Sequence, residues 1–114
     1  DTRRGPKPAD RSQTVITGLP NRSAVVSLVA TETTGPGYVQ VLPCGDAPGA
    51  ASNINADHAG QTVSGLAVIR FGADGQACIF TQTATHLVVD LQSYLADAAF
   101  DDIPDQRLVD TRNR

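Results

Sequence analysis

The stretch SAVVSLVATETTGPGYVQVLPC, residues 23–44, decides the fold class of this chain. Its first part, residues 23–33, is rich in β-branched residues and apolar on both alternating faces, which is typical of a central strand. The tripeptide Gly-Pro-Gly at residues 35–37 is a strong turn signal, and YVQVL at residues 38–42 alternates apolar and polar side chains. We therefore predict two strands here, joined as a β-hairpin by that turn.

Further strand signals occur on both sides of this hairpin. Each combines β-branched or alternating apolar residues with flanking turn residues, and they lie at residues 12–18, 53–56, 61–72, 76–83 and 85–95. No amphipathic helix of about ten residues or more is visible, which excludes a βαβ fold. We predict an all-β domain, an antiparallel β-sandwich or a barrel-like fold of about seven or eight strands.

The 114 residues are enough for a single module with one core. Within it we expect a polar N-terminal arm at residues 1–11, an acidic connector at residues 96–106 and a terminal strand, RLVDTR, at residues 107–112. The connector is rich in Asp but lacks the alternating oxygen ligands of a dedicated calcium loop. We interpret it as a solvated segment, and weak calcium binding is the alternative.

Cys44 and Cys78 are the only cysteines, and each lies at the edge of a strand-like run. They are too far apart for a CxxC redox pair and have no companion pair for a zinc site. A disulfide between them would close a loop of about 35 residues and stabilise the fold by about 3–4 kcal/mol. It would place the domain outside the cytoplasm, in a secreted or cell-envelope protein. Two buried free thiols in a reducing compartment are the alternative.

The composition excludes several classes of partner. A net charge of −3 makes nucleic acid a poor partner, because phosphate binding needs a concentrated basic surface. No apolar run approaches the roughly 20 residues of a membrane-spanning helix, so we expect no membrane insertion. Three Phe, two Tyr and no Trp leave little aromatic surface for stacking on sugars.

No residue pattern in the sequence predicts catalysis or metal binding. His86 and Asp90 could be joined with a serine into a hydrolase triad, but along a strand they lie about 13 Å apart. His58, His86 and their neighbouring Asp residues match no zinc spacing. We predict no catalytic residue, no metal and no cofactor.

Asp90 lies in the middle of a strand-like run, where a carboxylate is costly unless it is paired. A guanidinium is the natural partner because it can bind the carboxylate with two hydrogen bonds. We predict a structural latch between Asp90 and an arginine, the candidates being Arg70, Arg107 and Arg112. Simple exposure of Asp90 on an open sheet face is an equal alternative.

The segment SNINADH, residues 52–58, is a polar stretch between strand-like runs. If a ligand site exists, we expect it at the side chains of Asn53, Asn55, Asp57 and His58. The same residues are equally typical of a structural region of Asx-turns.

Four segments, taken together, resemble a known family: GYVQVLPCG, ASNINADHAGQTVSGLAVIRFGADGQACIF, THLVVDLQSYL and RLVDTR. The chain resembles a β-rich domain of exported actinobacterial proteins, whose modules begin or end with a hexamer like Arg-Leu-Leu-Asp-Thr-Arg. The resemblance covers about residues 25–112, in the same order and with both cysteines in place. It departs at LQSYL, residues 91–95, where the family usually has Gly-Tyr-Phe after the strand that contains Asp.

The resemblance implies a non-catalytic accessory module outside the cytoplasm. Asp-Thr-Arg stands at residues 1–3 and again at residues 110–112, so the chain resembles one repeat running from hexamer to hexamer. The resemblance then implies four signature positions that hold the junction between modules together: Arg107, Asp110, Thr111 and Arg112. We expect the module to bind cell-wall polysaccharide or peptidoglycan, or to act as a surface spacer. The alternative is a protein–protein interaction domain with a surface protein as its partner.

Overall fold

The computed structural model describes residues 1–49, 51–96 and 108–113 of the chain. It confirms an all-β fold of seven strands, which are β1 (Ser12–Thr17), β2 (Ser23–Thr31), β3 (Gly37–Leu42), β4 (Ile54–Ala56), β5 (Val63–Arg70), β6 (Gln76–Thr81) and β7 (His86–Tyr94). A single turn of 3-10 helix, Thr111–Asn113, is the only helical element in these residues. No helix in this part of the chain has the length and apolar character needed to cross a membrane.

The strands form two antiparallel sheets that pack as a sandwich. One sheet has the order β1-β6-β3-β4, and the other has the order β5-β2-β7. β2 is therefore a central strand, as its two apolar faces predicted. The structure confirms the antiparallel sandwich and not the barrel-like alternative.

The predicted hairpin at residues 35–37 is wrong, although both of its strands exist. β2 lies in the three-stranded sheet and β3 in the four-stranded sheet. Both edges of β2 are already occupied, one by β5 and the other by β7, so β2 has no free edge for β3. The turn instead carries the chain across the sandwich, where β3 pairs with β6.

The predicted terminal strand is also absent from its described part. Residues 108–110 have no regular secondary structure, and the 3-10 turn follows them. The Asp110 carboxylate accepts the backbone N–H of Arg112 at 3.0 Å, an Asx-turn that curls the backbone instead of leaving it extended for a ladder. Arg107 and residues 97–106 of the acidic connector lie outside the described residues.

The core is formed by the facing sides of the two sheets. Leu28 of β2, Ile79 of β6 and Leu87 of β7 are almost completely buried, and small residues such as Ala24 and Ala77 pack beside larger ones. At one side of the sandwich β4 contacts β5. The contact is close because position 65 is glycine: a Cβ there would lie 3.0 Å from Ile54 Cγ2.

The predicted disulfide is present between Cys44 and Cys78, with a Cα–Cα distance of 4.9 Å. Cys78 is buried in β6, where it pairs with Leu42 at the end of β3. The bond therefore ties the loop that follows β3 to the middle of the neighbouring strand. A disulfide is compatible with a location outside the cytoplasm.

Candidate functional site

A cleft with a volume of about 290 Å³ lies between β1 and β7. Its walls are residues 14–17 of β1 and Leu87, Val89, Leu91 and Tyr94 of β7. The buried side chains of Val26 and Phe71 also line it, and Asp1 and Thr2 lie at the Leu87 end. The lining is thus mainly apolar, as in most sites that bind organic ligands or peptide side chains.

The cleft lies between β1 and β7, which are edge strands of the two sheets. β1 pairs only with β6, and β7 pairs only with β2, so each has one edge without a strand partner in the described part of the chain. The side chains of Val15 and Leu91, on opposite walls, are 53% and 52% exposed. Open strand edges with apolar side chains beside them are suited to pairing with an added strand.

Thr2 closes one end of the cleft by binding the backbone of β7. Its N–H donates to the carbonyl of Leu87 at 2.9 Å, and its Oγ1 accepts the N–H of Leu87 at 2.9 Å. The same Oγ1 lies 2.9 Å from Nδ1 of His86. One threonine therefore satisfies both backbone groups of Leu87 at an otherwise open edge.

The rest of the N-terminal arm continues along the same strand region. The carbonyl of Pro8 accepts the N–H of Thr85 at 3.2 Å, and the Asp10 carboxylate accepts the N–H of Ala84 at 2.6 Å. Residue numbers rise along the arm as they fall along the strand, so the arm runs antiparallel to β7. The predicted polar arm is thus a docked segment of the fold.

Replacing Thr2 by Val is expected to lower the free energy of unfolding by about 1–2 kcal/mol, because the Leu87 N–H loses its acceptor. The Leu87 amide should also exchange its hydrogen with solvent much faster than in the wild type. Urea unfolding and amide hydrogen exchange measure the two effects. Thr17→Val is the matched control, because the exposed Thr17 hydroxyl has no hydrogen bond in the described part of the chain. Equal effects of the two substitutions would contradict the prediction.

The histidine and acidic residues considered for chemistry do not come together. His86 is buried and turned to Thr2, whereas Asp90 is exposed farther along β7. His58 lies in the loop after β4, where its Nδ1 is 3.1 Å from the carbonyl oxygen of Ala59. Within residues 1–49, 51–96 and 108–113, no three His, Cys, Asp or Glu side chains are grouped to hold a metal ion.

The loop of Asn53, Asn55, Asp57 and His58 is held to neighbouring segments by hydrogen bonds. The Asn53 side chain accepts the N–H of Val41 at 2.7 Å, and the Asp57 N–H donates to the Gln61 side chain. The His58 carbonyl accepts the hydroxyl of Thr33 at 3.2 Å. These contacts match the structural interpretation of the loop, which the sequence left open beside the ligand-binding one.

The latch predicted for Asp90 is not formed by the described residues. Asp90 is exposed on β7 and its side chain makes no hydrogen bond or ion pair with them, which matches the alternative of an open sheet face. Arg70 donates to the hydroxyl of Ser23 at 3.2 Å. Arg112 pairs with Asp110 inside its own tripeptide, and this carboxylate raises the pKa of the guanidinium through a hydrogen bond and through charge.

The sequence did not predict the cleft or the role of Thr2. The one signal that pointed to Thr2 was the recurrence of Asp-Thr-Arg at residues 1–3 and 110–112. The cleft depends on which strands lie at the sheet edges, and no local pattern carries that information. No protein-family model, curated protein or solved structure matches this chain.

Proposed function

We propose that this chain is a non-catalytic module, located outside the cytoplasm, that binds an extended polypeptide in the cleft between β1 and β7. The observation that carries this proposal is the cleft itself. It lies between two strands with open edges, so a bound segment could add main-chain hydrogen bonds to β7 or β1 and place alternate side chains against apolar walls.

The disulfide supports the location outside the cytoplasm. Such bonds form and persist in oxidising compartments, and here the bond joins the loop after β3 to the neighbouring strand β6. A scaffold that is cross-linked in this way is already ordered before it binds, so binding costs it little conformational entropy.

Binding of cell-wall glycan has less support from the geometry. Carbohydrate sites commonly offer an exposed aromatic face, but in the described residues Phe71 and Phe80 are buried, and Tyr38 and Tyr94 are half-buried. In the polar loop, the Asn53 side chain is already bound by the backbone N–H of Val41, and the backbone N–H of Asp57 is bound by the Gln61 side chain. The interaction domain, which was the alternative in the sequence analysis, is therefore the better-supported function.

A random-peptide library displayed on phage tests the proposal with the full chain as immobilised bait. We expect enrichment of peptides with spaced apolar residues, and we expect Leu91→Asp on the cleft wall to abolish their binding. Leu66→Asp is the matched control, since Leu66 is 71% exposed in β5 at the far edge of the same sheet. Absence of enrichment, or equal loss in both variants, would contradict the proposal. Retention on purified cell wall in that case would favour the glycan hypothesis.

A further inference from the structure

The two Asp-Thr-Arg tripeptides form the same set of internal hydrogen bonds. In the first, the Asp1 carboxylate accepts the backbone N–H of Arg3 at 3.0 Å, its Nε at 3.0 Å and its Nη2 at 2.6 Å. In the second, the Asp110 carboxylate accepts the same three groups of Arg112 at 3.0, 3.0 and 2.8 Å. Both tripeptides are therefore closed by their own side chains into one shape, with the threonine between the two charged residues.

Only the first tripeptide uses its threonine. Thr2 binds Leu87 and His86, as described above, whereas Thr111 is exposed and its hydroxyl has no hydrogen bond in the described part of the chain. The second tripeptide thus has the same internal hydrogen bonds and chemical groups as the docking element, and its threonine is exposed. These groups match those that bind the β7 edge.

The residues before the second tripeptide are suited to the cleft. Leu108 and Val109 are 88% and 78% exposed, although they are apolar. Because the arm runs antiparallel to β7, residues that precede a docked Asp-Thr-Arg would continue along β7 from Leu87 toward Val89 and Leu91. That path leads into the cleft. Because adjacent residues of an extended segment point to opposite faces, docking of Thr111 would direct one side chain of this apolar pair to the apolar walls.

We propose that residues 108–112 of one copy of this chain bind the β7 edge and the cleft of a second copy, in the place that Asp1–Arg3 occupies within a single copy. Thr111 takes over the contacts of Thr2 with Leu87 and His86, and one of the two apolar side chains, Leu108 or Val109, packs against the cleft walls. The contact joins the C-terminal segment of one copy to the N-terminal side of the next, so it is heterologous and can be repeated along a row of copies. This inference rests on the proposed function, because it names the polypeptide that the cleft binds.

The two tripeptides compete for one site, and this competition sets the expected affinity. The first is attached to its own domain, which gives it an effective concentration on the order of millimolar or above. A second copy must displace it, so binding to the wild-type chain is weak. Any change that weakens docking of Thr2 should strengthen binding of the incoming segment.

A fluorescent peptide with the sequence of residues 106–114, QRLVDTRNR, tests the proposal by anisotropy with the full chain. We expect saturable binding that becomes about fivefold or more tighter in the Thr2→Val chain, since one lost hydrogen bond corresponds to a factor of that order. A peptide with Thr111→Val should bind at least about fivefold more weakly than the parent peptide, for the same reason. The Leu91→Asp chain should bind weakly, and the Leu66→Asp chain should bind normally.

Three results would overturn the inference. They are no binding to the Thr2→Val chain, equal binding of the parent and Thr111→Val peptides, and looser rather than tighter binding in the Thr2→Val chain. If library-selected peptides still bind the cleft in any of these cases, the proposed function stands and only the identity of the partner segment is wrong. If neither kind of peptide binds, both proposals fail.

Discussion

Reduction of the Cys44–Cys78 disulfide is expected to lower the free energy of unfolding by about 3–4 kcal/mol. The two cysteines are 34 residues apart, so the bond removes many conformations from the unfolded chain. This loss is a large share of the total free energy of unfolding, which for a domain of this size is about 5–15 kcal/mol. Urea unfolding of the same protein with and without a phosphine reductant measures the loss without changing any side chain.

The double variant Cys44→Ala/Cys78→Ala is the control for the reductant. It should be destabilised to a similar extent, and the reductant should not change its unfolding curve. A shift below about 1 kcal/mol on reduction of the wild type would mean that the bond constrains the unfolded chain far less than its loop length predicts.

Replacement of Leu28 by Ala is expected to lower the free energy of unfolding by about 3–4 kcal/mol. Leu28 is 0% exposed and lies in the central strand β2, where it packs with Ile79 of the facing sheet and Leu87 of the adjacent strand. Truncation there removes apolar contacts and leaves a cavity that neighbouring strands, fixed by their ladders, cannot fill. Thermal or urea unfolding measures the difference.

Leu66→Ala is the matched control in the same sheet. Leu66 is 71% exposed on β5, so the same truncation should change stability by no more than about 0.5 kcal/mol. Similar losses at both positions would show that the core does not lie between the two sheets as described.

Strand positions could be predicted because they depend on local patterns, whereas strand pairing could not. Alternating and β-branched residues located all seven strands to within a few residues. The Gly-Pro-Gly turn was interpreted as a hairpin because a short turn between two strands usually makes one. Here one edge of β2 pairs with β5 and the other pairs with β7. This pairing depends on distant strands, so residues 23–44 alone do not encode it.

The same distinction holds for the candidate site. Cys44 and Cys78 could be paired from the sequence because only two cysteines are present, and each borders a strand. Asp90 was harder to interpret, since its exposure follows from the place of β7 at a sheet edge. The cleft can be predicted only when both edge strands are known, and the contact of Thr2 with Leu87 joins residues that are 85 positions apart.

That contact has a consequence for how the molecule reaches its native state. Thr2 and His86 are 84 residues apart, so the N-terminal arm cannot dock until the segment that contains β7 has also left the ribosome or an export channel. β1 likewise cannot pair until β6, its sole pairing partner in the described chain, is available. Docking of the arm and pairing of β1 should therefore be late steps of folding, and both segments should stay accessible to chaperones until β6 and β7 are available.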